Sequence, residues 1–417
     1  MTNDPSTTLP RPFIHLAWAN LAAQSAEQVS LAAVPIVAVM ALGAGPGEIG
    51  TLAAMQSLPF LLLSLPAGVL ADRWSRRRLM LGAELLRALA LAALLMATLS
   101  GQLSIALLAV LGFLGATGTV AFSVAAPAAV PAMVPRTLLA AANGRLELAR
   151  ALAYAGGPAV AGALVSWAGA PSAFVLAVML SVAALLLLWR LPEPARVDTP
   201  RRAVMHELLE GAQFVWQHTL LRPVLLTAVA WNLAWFALQA VYVPYAIKAL
   251  HLSAGAVGAT MAGLGAGMLL GALFAARVMR SVSFGTAVVL GPIGSLLAAL
   301  VMAATLLWPS GWLAALSWFM FGVGPVLWVI SSATLRQTVT PGTKLGQVGA
   351  IFLTVNTGVR PLGAALGGAV GEHWGYGAAL WLVVFGFAVQ LWLIWHSPVR
   401  RLHQLPNAHD AVPTAVR

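Results

Sequence analysis

Gly68-Val69-Leu70-Ala71-Asp72-Arg73-Trp74-Ser75-Arg76-Arg77-Arg78 is the stretch from which the rest of the chain can be read. Four arginines and one aspartate crowd a turn too short to fold alone, and long apolar segments run away from it on both sides. Charge this dense between two apolar spans marks a loop held at a membrane face, by its basic bias the cytoplasmic one. The arginines need no more than that topological reading. Asp72 is not required by it, which makes the loop a candidate working part.

The 417 residues are 60% hydrophobic and only 8% charged. A soluble domain carries about a quarter charged residues, so this is an integral membrane protein with little outside the bilayer. The net charge of +11 would suit nucleic acid. The arginines sit instead in short connections between apolar runs, so lipid is the expected partner and nucleic acid is not. With no cysteine, disulfides, thiolate metal sites and iron–sulfur clusters are excluded, and no cofactor or metal is expected. The apolar stretch after the polar first sixteen residues is too long for a signal peptide and should stay as the first span.

Apolar runs of the roughly 20 residues that a spanning helix needs lie near 16–42, 48–70, 78–99, 103–131, 141–167 and 172–190. They resume near 222–248, 254–278, 284–308, 312–334, 346–370 and 376–396. The expected fold is an all-α membrane protein of about twelve transmembrane helices in two six-helix pseudo-repeat bundles. Residues 1–190 form the first bundle, 191–221 a linker, 222–400 the second bundle and 401–417 a tail.

One set of connections holds Arg11, the 73–78 cluster, Arg136, Arg190 to Arg202, Arg277, Arg280, Arg336, Lys344, Arg400 and Arg401. The opposite set holds Lys248 alone, with Glu48 and Glu372. This asymmetry places both termini and the linker in the cytoplasm of a multi-pass inner-membrane protein. Within the linker, Val204 to Gln217 has the amphipathic pattern of a membrane-surface helix.

The halves read as a diverged duplication. Gly45-Pro46-Gly47-Glu48-Ile49-Gly50 corresponds to Ser253-Ala254-Gly255-Ala256-Val257-Gly258. Gly162-Ala163-Leu164-Val165 before Trp167-Ala168-Gly169 corresponds to Gly368-Ala369-Val370-Gly371 before Trp374-Gly375. The nearly constant offset favours duplication, and parallel halves suit a transporter.

Enzyme chemistry finds little support. Neither Lys248 nor Lys344 lies in a P-loop, His206-Glu207 lacks the second histidine of a zinc-protease helix, and no nucleophile elbow occurs. Ionisable residues inside a bilayer are costly and functional by default. Glu27 lies about 16 Å along the first span, roughly half of a ~30 Å hydrocarbon core, with Gln24 one turn back and Gln28 beside it. It is the candidate proton-coupling group, against a competing reading as one end of a fixed ion pair with Arg150 or Arg360. Glu84 with Arg87, and Glu147 with Arg150, are spaced to pair locally. Arg360, before Pro361, has no local acid and is open to a distant carboxylate, an anionic substrate or snorkelling. Asn232, Trp235 and Gln239 form a polar–aromatic stripe suited to a cavity wall. Tyr242 and Tyr245 continue it, either as cavity lining or as interface-belt aromatics.

The 68–78 stretch resembles the signature loop of the major facilitator superfamily, matching at Gly68, Asp72, Arg73, Arg76 and Arg77 and departing at Ser75, where glycine is usual. Gly157, Pro158 and Gly162, in Gly156-Gly157-Pro158-Ala159-Val160-Ala161-Gly162, resemble the glycine–proline motif of that family's antiporters. The first-span acid, Val130-Pro131-Ala132-Met133-Val134-Pro135 and Glu210-Gly211 with Phe214 resemble the branch of enterobactin and macrolide exporters. The resemblance implies a monomeric, proton-driven exporter of amphiphilic small molecules that works by alternating access, with the 68–78 loop as a gating element. An importer or uniporter of a small metabolite is the alternative, and a membrane enzyme or sensor a more remote one.

Overall fold

The computed structural model describes residues 9–135, 138–193, 204–341 and 344–405. Arg136, linker residues 194–203 and tail residues 406–417 lie outside that set, as do the side chains of Asp72, Arg73, His206 and Glu207 and the surroundings of Gly68. The helices are α1 (Arg11–Leu42), α2 (Pro46–Arg73), α3 (Arg76–Leu99), α4 (Ile105–Met133), α5 (Leu139–Ala168) and α6 (Ala170–Trp189). Then come α7 (Val204–Gln217), α8 (Leu221–Lys248), α9 (Ala254–Ser281), α10 (Phe284–Ala304), α11 (Gly311–Val339), α12 (Leu345–Gly358) and α13 (Arg360–Trp395).

Serine marks several of the starts. The hydroxyls of Ser75, Ser104, Ser253 and Ser283 accept the amide three residues on, satisfying a donor that the first turn leaves free. Ser75 thereby accounts for the departure from glycine in the charged loop: it caps α3 across a two-residue connection, Trp74-Ser75. At the opposite end of α1, Gly43 takes φ 69°, a left-handed stop that favours glycine.

Ten helical segments among the described residues are long and apolar enough to cross a bilayer. One of them, Leu345–Trp395, reverses at Gly375 (φ 81°) and so crosses twice. With the 28-residue α2 this makes twelve crossings. Gly169, between α5 and α6, has φ 81° and ψ 171°, and Gly375 has φ 81° and ψ 172°. The same turn thus recurs in both copies of the repeat. The run read from sequence as one helix near 346–370 is interrupted, because α12 stops at Gly358 and Pro361 starts the first turn of α13.

Helices α1–α6 pack among themselves, as do α8–α13, and the halves meet where α5 lies on α9 and α2 on α13. The buried apolar core is one continuous cluster across both halves at the end holding the 43–45 and 249–253 connections. At the arginine-bearing end it is two separate clusters, one per half. The halves are sealed at the far end and part company at the basic end.

Inside the first half, Glu84 and Arg87 form an ion pair at 3.1 Å with side chains 0% and 4% exposed. Ser181 of α6 donates to Glu84 at 2.6 Å, and Arg87 donates to the Ala23 carbonyl of α1 at 2.9 Å. The pair therefore ties α3 to α1 and α6. Arg87→Met would leave Glu84 buried without its cation, a change expected to cost about 3–5 kcal/mol. Thermal unfolding of the purified protein checks this, and Glu84→Gln added to Arg87→Met should recover part of the loss.

Candidate functional site

The middle of the molecule is built from the midpoints of its longest helices. Glu27 lies halfway along α1, a 32-residue helix. Its carboxylate is in no ion pair and no hydrogen bond among the described residues. Both cations that a fixed pair would recruit are engaged elsewhere. Arg150 holds Glu147 at 2.7 Å near the half-exposed start of α5, and Arg360 Nε donates to Asn232 Oδ1 at 3.3 Å. Arg360 remains within electrostatic range of Glu27. Its guanidinium stands 5.7 Å from the Phe60 ring of α2 and 5.3 Å from the Phe236 ring of α8. Arg360 therefore bridges the two halves, at the break between α12 and α13.

Gln28, beside Glu27, lies next to Tyr154 of α5, whose hydroxyl is in electrostatic range of Glu27, Arg150 and Arg360. Three residues further along α5, Gly157 lets that helix press on α1: a Cβ there would collide with Gln28 Cβ. Gly162 plays another part. Its added Cβ would stand 2.5 Å from the Ala254 carbonyl oxygen and 2.8 Å from Gly258 Cα, in the other half. The glycine–proline segment thus serves two contacts, one to the helix bearing Glu27 and one across the seal. Gly263, Gly267 and Gly271 face α11 within their own half, as ordinary small-residue packing.

The seal is built twice. Gly50 of α2 meets Gly368 of α13, and Gly258 of α9 meets Gly162 of α5, each with backbone against backbone. Two charges from the second half grip the α1–α2 turn. Lys248 Nζ donates to the Gly43 and Ala44 carbonyls at 2.7 and 2.9 Å, while the Glu372 carboxylate accepts the Gly47 amide at 3.2 Å. A cation thus sits on the carbonyl end of α1 and an anion on the amide end of α2, each complementing the helix dipole it faces.

Several expected residues lie elsewhere. Trp235 belongs to the second half's interior, stacked on Trp231 and edge-on to Trp318 and Phe321, because its side of α8 faces α11. It is core in this conformation and not cavity wall. Tyr242 and Tyr245 bond Thr260 and Thr305 inside the same half, so neither lines a cavity nor joins an outer belt. Gln24 and Gln239 are half-buried and make no hydrogen bond among the described residues. At the charged loop, Arg76 donates to the Ala128 carbonyl at 2.5 Å and Arg77 to the Trp189 carbonyl at 2.6 Å, both in the first half. Arg78 pairs with Glu193 at 3.4 Å. Tyr154, Phe60 and Phe236 were missed by the sequence reading. Tyr154 had a signal, as one of four tyrosines in the chain and three residues before the glycine–proline motif.

Twelve crossings in two like halves, sealed at one end and enclosing polar residues at mid-depth, define a secondary transporter. The chain belongs to the Major Facilitator Superfamily, whose family profile matches residues 16–363. Among curated relatives it is 28% identical to the Enterobactin exporter EntS of Citrobacter koseri over 359 residues, 83% of this chain and 82% of that one. It is also 28% identical to the EntS of Salmonella choleraesuis over 82% of both chains. Its fold is similar to the crystal structure of the nucleoside transporter NupG, with a TM-score of 0.75 at 12% identity, over 92% of this chain and 98% of that one. A bacterial homologue of the iron transporter ferroportin in its inward-facing state gives 0.74 at 15% identity, over 92% and 98%. The family and these relatives are transporters and not enzymes.

Proposed function

We propose that this chain exports amphiphilic small molecules, siderophore-like or drug-like, across the inner membrane in exchange for protons. Both termini and the linker lie in the cytoplasm on this reading, supported by the one-sided placement of arginine. The halves are residues 1–190 and 222–400, and the form described is then inward-facing, open towards the basic end. The observation that carries the coupling is Glu27: an acid at mid-span, without an ion-pair partner among the described residues, opposite a cation from the other half. Such a carboxyl can take a proton from one side and release it to the other as the halves rock. Gln28, Asn232 and Arg360 supply the polar wall of the cargo site, with Gln24 and Gln239 along the same helices. Phe60 and Phe236 supply apolar surface for the rest of an amphiphile. Export over import is supported by the curated relatives, which are enterobactin exporters.

Everted membrane vesicles test direction and coupling together. Vesicles carrying the protein should accumulate an amphiphilic fluorescent dye when acidified inside, and release it when the gradient is collapsed. Accumulation only in right-side-out vesicles would make it an importer.

A further inference from the structure

The last span ends in a pocket of about 450 Å³ lined by Trp395, His396, Ser397, Arg400 and Arg401. Among the described residues no acidic side chain lines it. The segment is built and not a loose tail. Val399 is fully buried, Gly285 and Phe284 of α10 donate to the Leu402 and His403 carbonyls at 2.7 and 3.2 Å, and Pro398–Arg401 forms a 3-10 turn. A Cβ at Gly285 would run into the Arg400 carbonyl, so the turn lies hard against α10. Arg400 is laid over the Trp395 ring at 3.6 Å, which fixes where its guanidinium points. His396 Nδ1 meets the Trp392 carbonyl at 2.9 Å, leaving Nε2 for the pocket. Trp392, one turn further into the span, is 60% exposed on the outer surface of the helix.

These features form one amphipathic site. Two arginines and a histidine stand at the water-facing end, and exposed tryptophans continue from it into the apolar belt. We propose that this pocket holds the phosphate of an anionic phospholipid, with Arg400 and Arg401 on the phosphate and an acyl chain along Trp392. Arginine forks match phosphate oxygens, and a basic pocket at the end of a span is where a lipid headgroup stands. A lipid held there would tie the last span to α10 through the 398–403 turn.

Native mass spectrometry of the full-length protein, titrated with phosphatidylglycerol or phosphatidylcholine of identical acyl chains, reads this out. The wild type should bind phosphatidylglycerol about tenfold better, one adduct saturating first, which is ~1.4 kcal/mol. Arg400→Gln with Arg401→Gln should remove most of that preference, and the double lysine variant should keep a good part of it. Arg277→Gln with Arg280→Gln, another basic pair at the same end, should leave it unchanged. Millimolar inorganic phosphate should compete poorly, since it lacks the acyl chain. Equal binding of both lipids by the wild type would overturn the proposal. So would an undiminished preference in the glutamine pair, or free phosphate competing as well as lipid.

Discussion

Replacing Glu27 by glutamine is expected to abolish pH-gradient-driven export while leaving binding and exchange of the cargo in place. Glutamine has the shape of the protonated acid and cannot cycle, so the variant should still pass between its two open forms. A pH difference of one unit is worth about 1.4 kcal/mol per proton, and that driving force should vanish from the variant's accumulation ratio. The expectation rests on how Glu27 is placed. It is at the midpoint of α1, with Arg150 committed to Glu147 and Arg360 to Asn232. A structural acid would have been found holding one of those cations. Accumulation ratios and counterflow in proteoliposomes separate the two roles. A variant that responds to an imposed gradient as the wild type does would remove Glu27 from the coupling machinery.

A cross-link at the far end should stop transport completely and reversibly. A Cβ at Gly47 would stand 3.4 Å from the Glu372 Cβ, close to the ~3.5–4.5 Å separation of disulfide-bonded cysteines. The chain contains no cysteine, so Gly47→Cys with Glu372→Cys introduces the only thiols. Oxidation should join the halves in the conformation described, and alternating access then has no second state to visit. Reductant should restore the flux, and each single cysteine variant should be insensitive to oxidant. Full transport with the bond shown to be formed would mean that the α1–α2 turn does not separate from α13 during the cycle.

How far such placements were legible in the sequence differs from element to element. The amphipathic segment Val204 to Gln217 is a helix with those same bounds, since a change from apolar to mixed composition is visible without tertiary information. The paired glycine segments were legible as well, because a duplication repeats its close contacts at a fixed offset. Faces of a helix apolar all round are another matter. Periodicity in α8 could not say that Trp235 turns towards α11 while Asn232, three residues earlier, turns towards Arg360. The interruption at Gly358 was hidden for a like reason: Arg360-Pro361 reads as a kink or a fresh start alike until packing decides. Tyr154 was overlooked because a lone tyrosine in an apolar span has no pattern of its own.

The doubled glycine seal has a meaning for the origin of the molecule. Gly50 and Gly258 hold equivalent places in the two halves, as do Gly162 and Gly368. Gly50 lies on Gly368 and Gly258 lies on Gly162, so each half offers the same two surfaces and meets the other's reversed. A patch that pairs with itself about a two-fold axis is the signature of an isologous dimer. The seal has that form inside a single polypeptide, each half standing where a subunit of such a dimer would stand. One glycine pair in a six-helix ancestor would have closed both sides of such a dimer at once. Within one chain the two sides of the centre are free to differ, and they do, with an acid on one side and an arginine on the other.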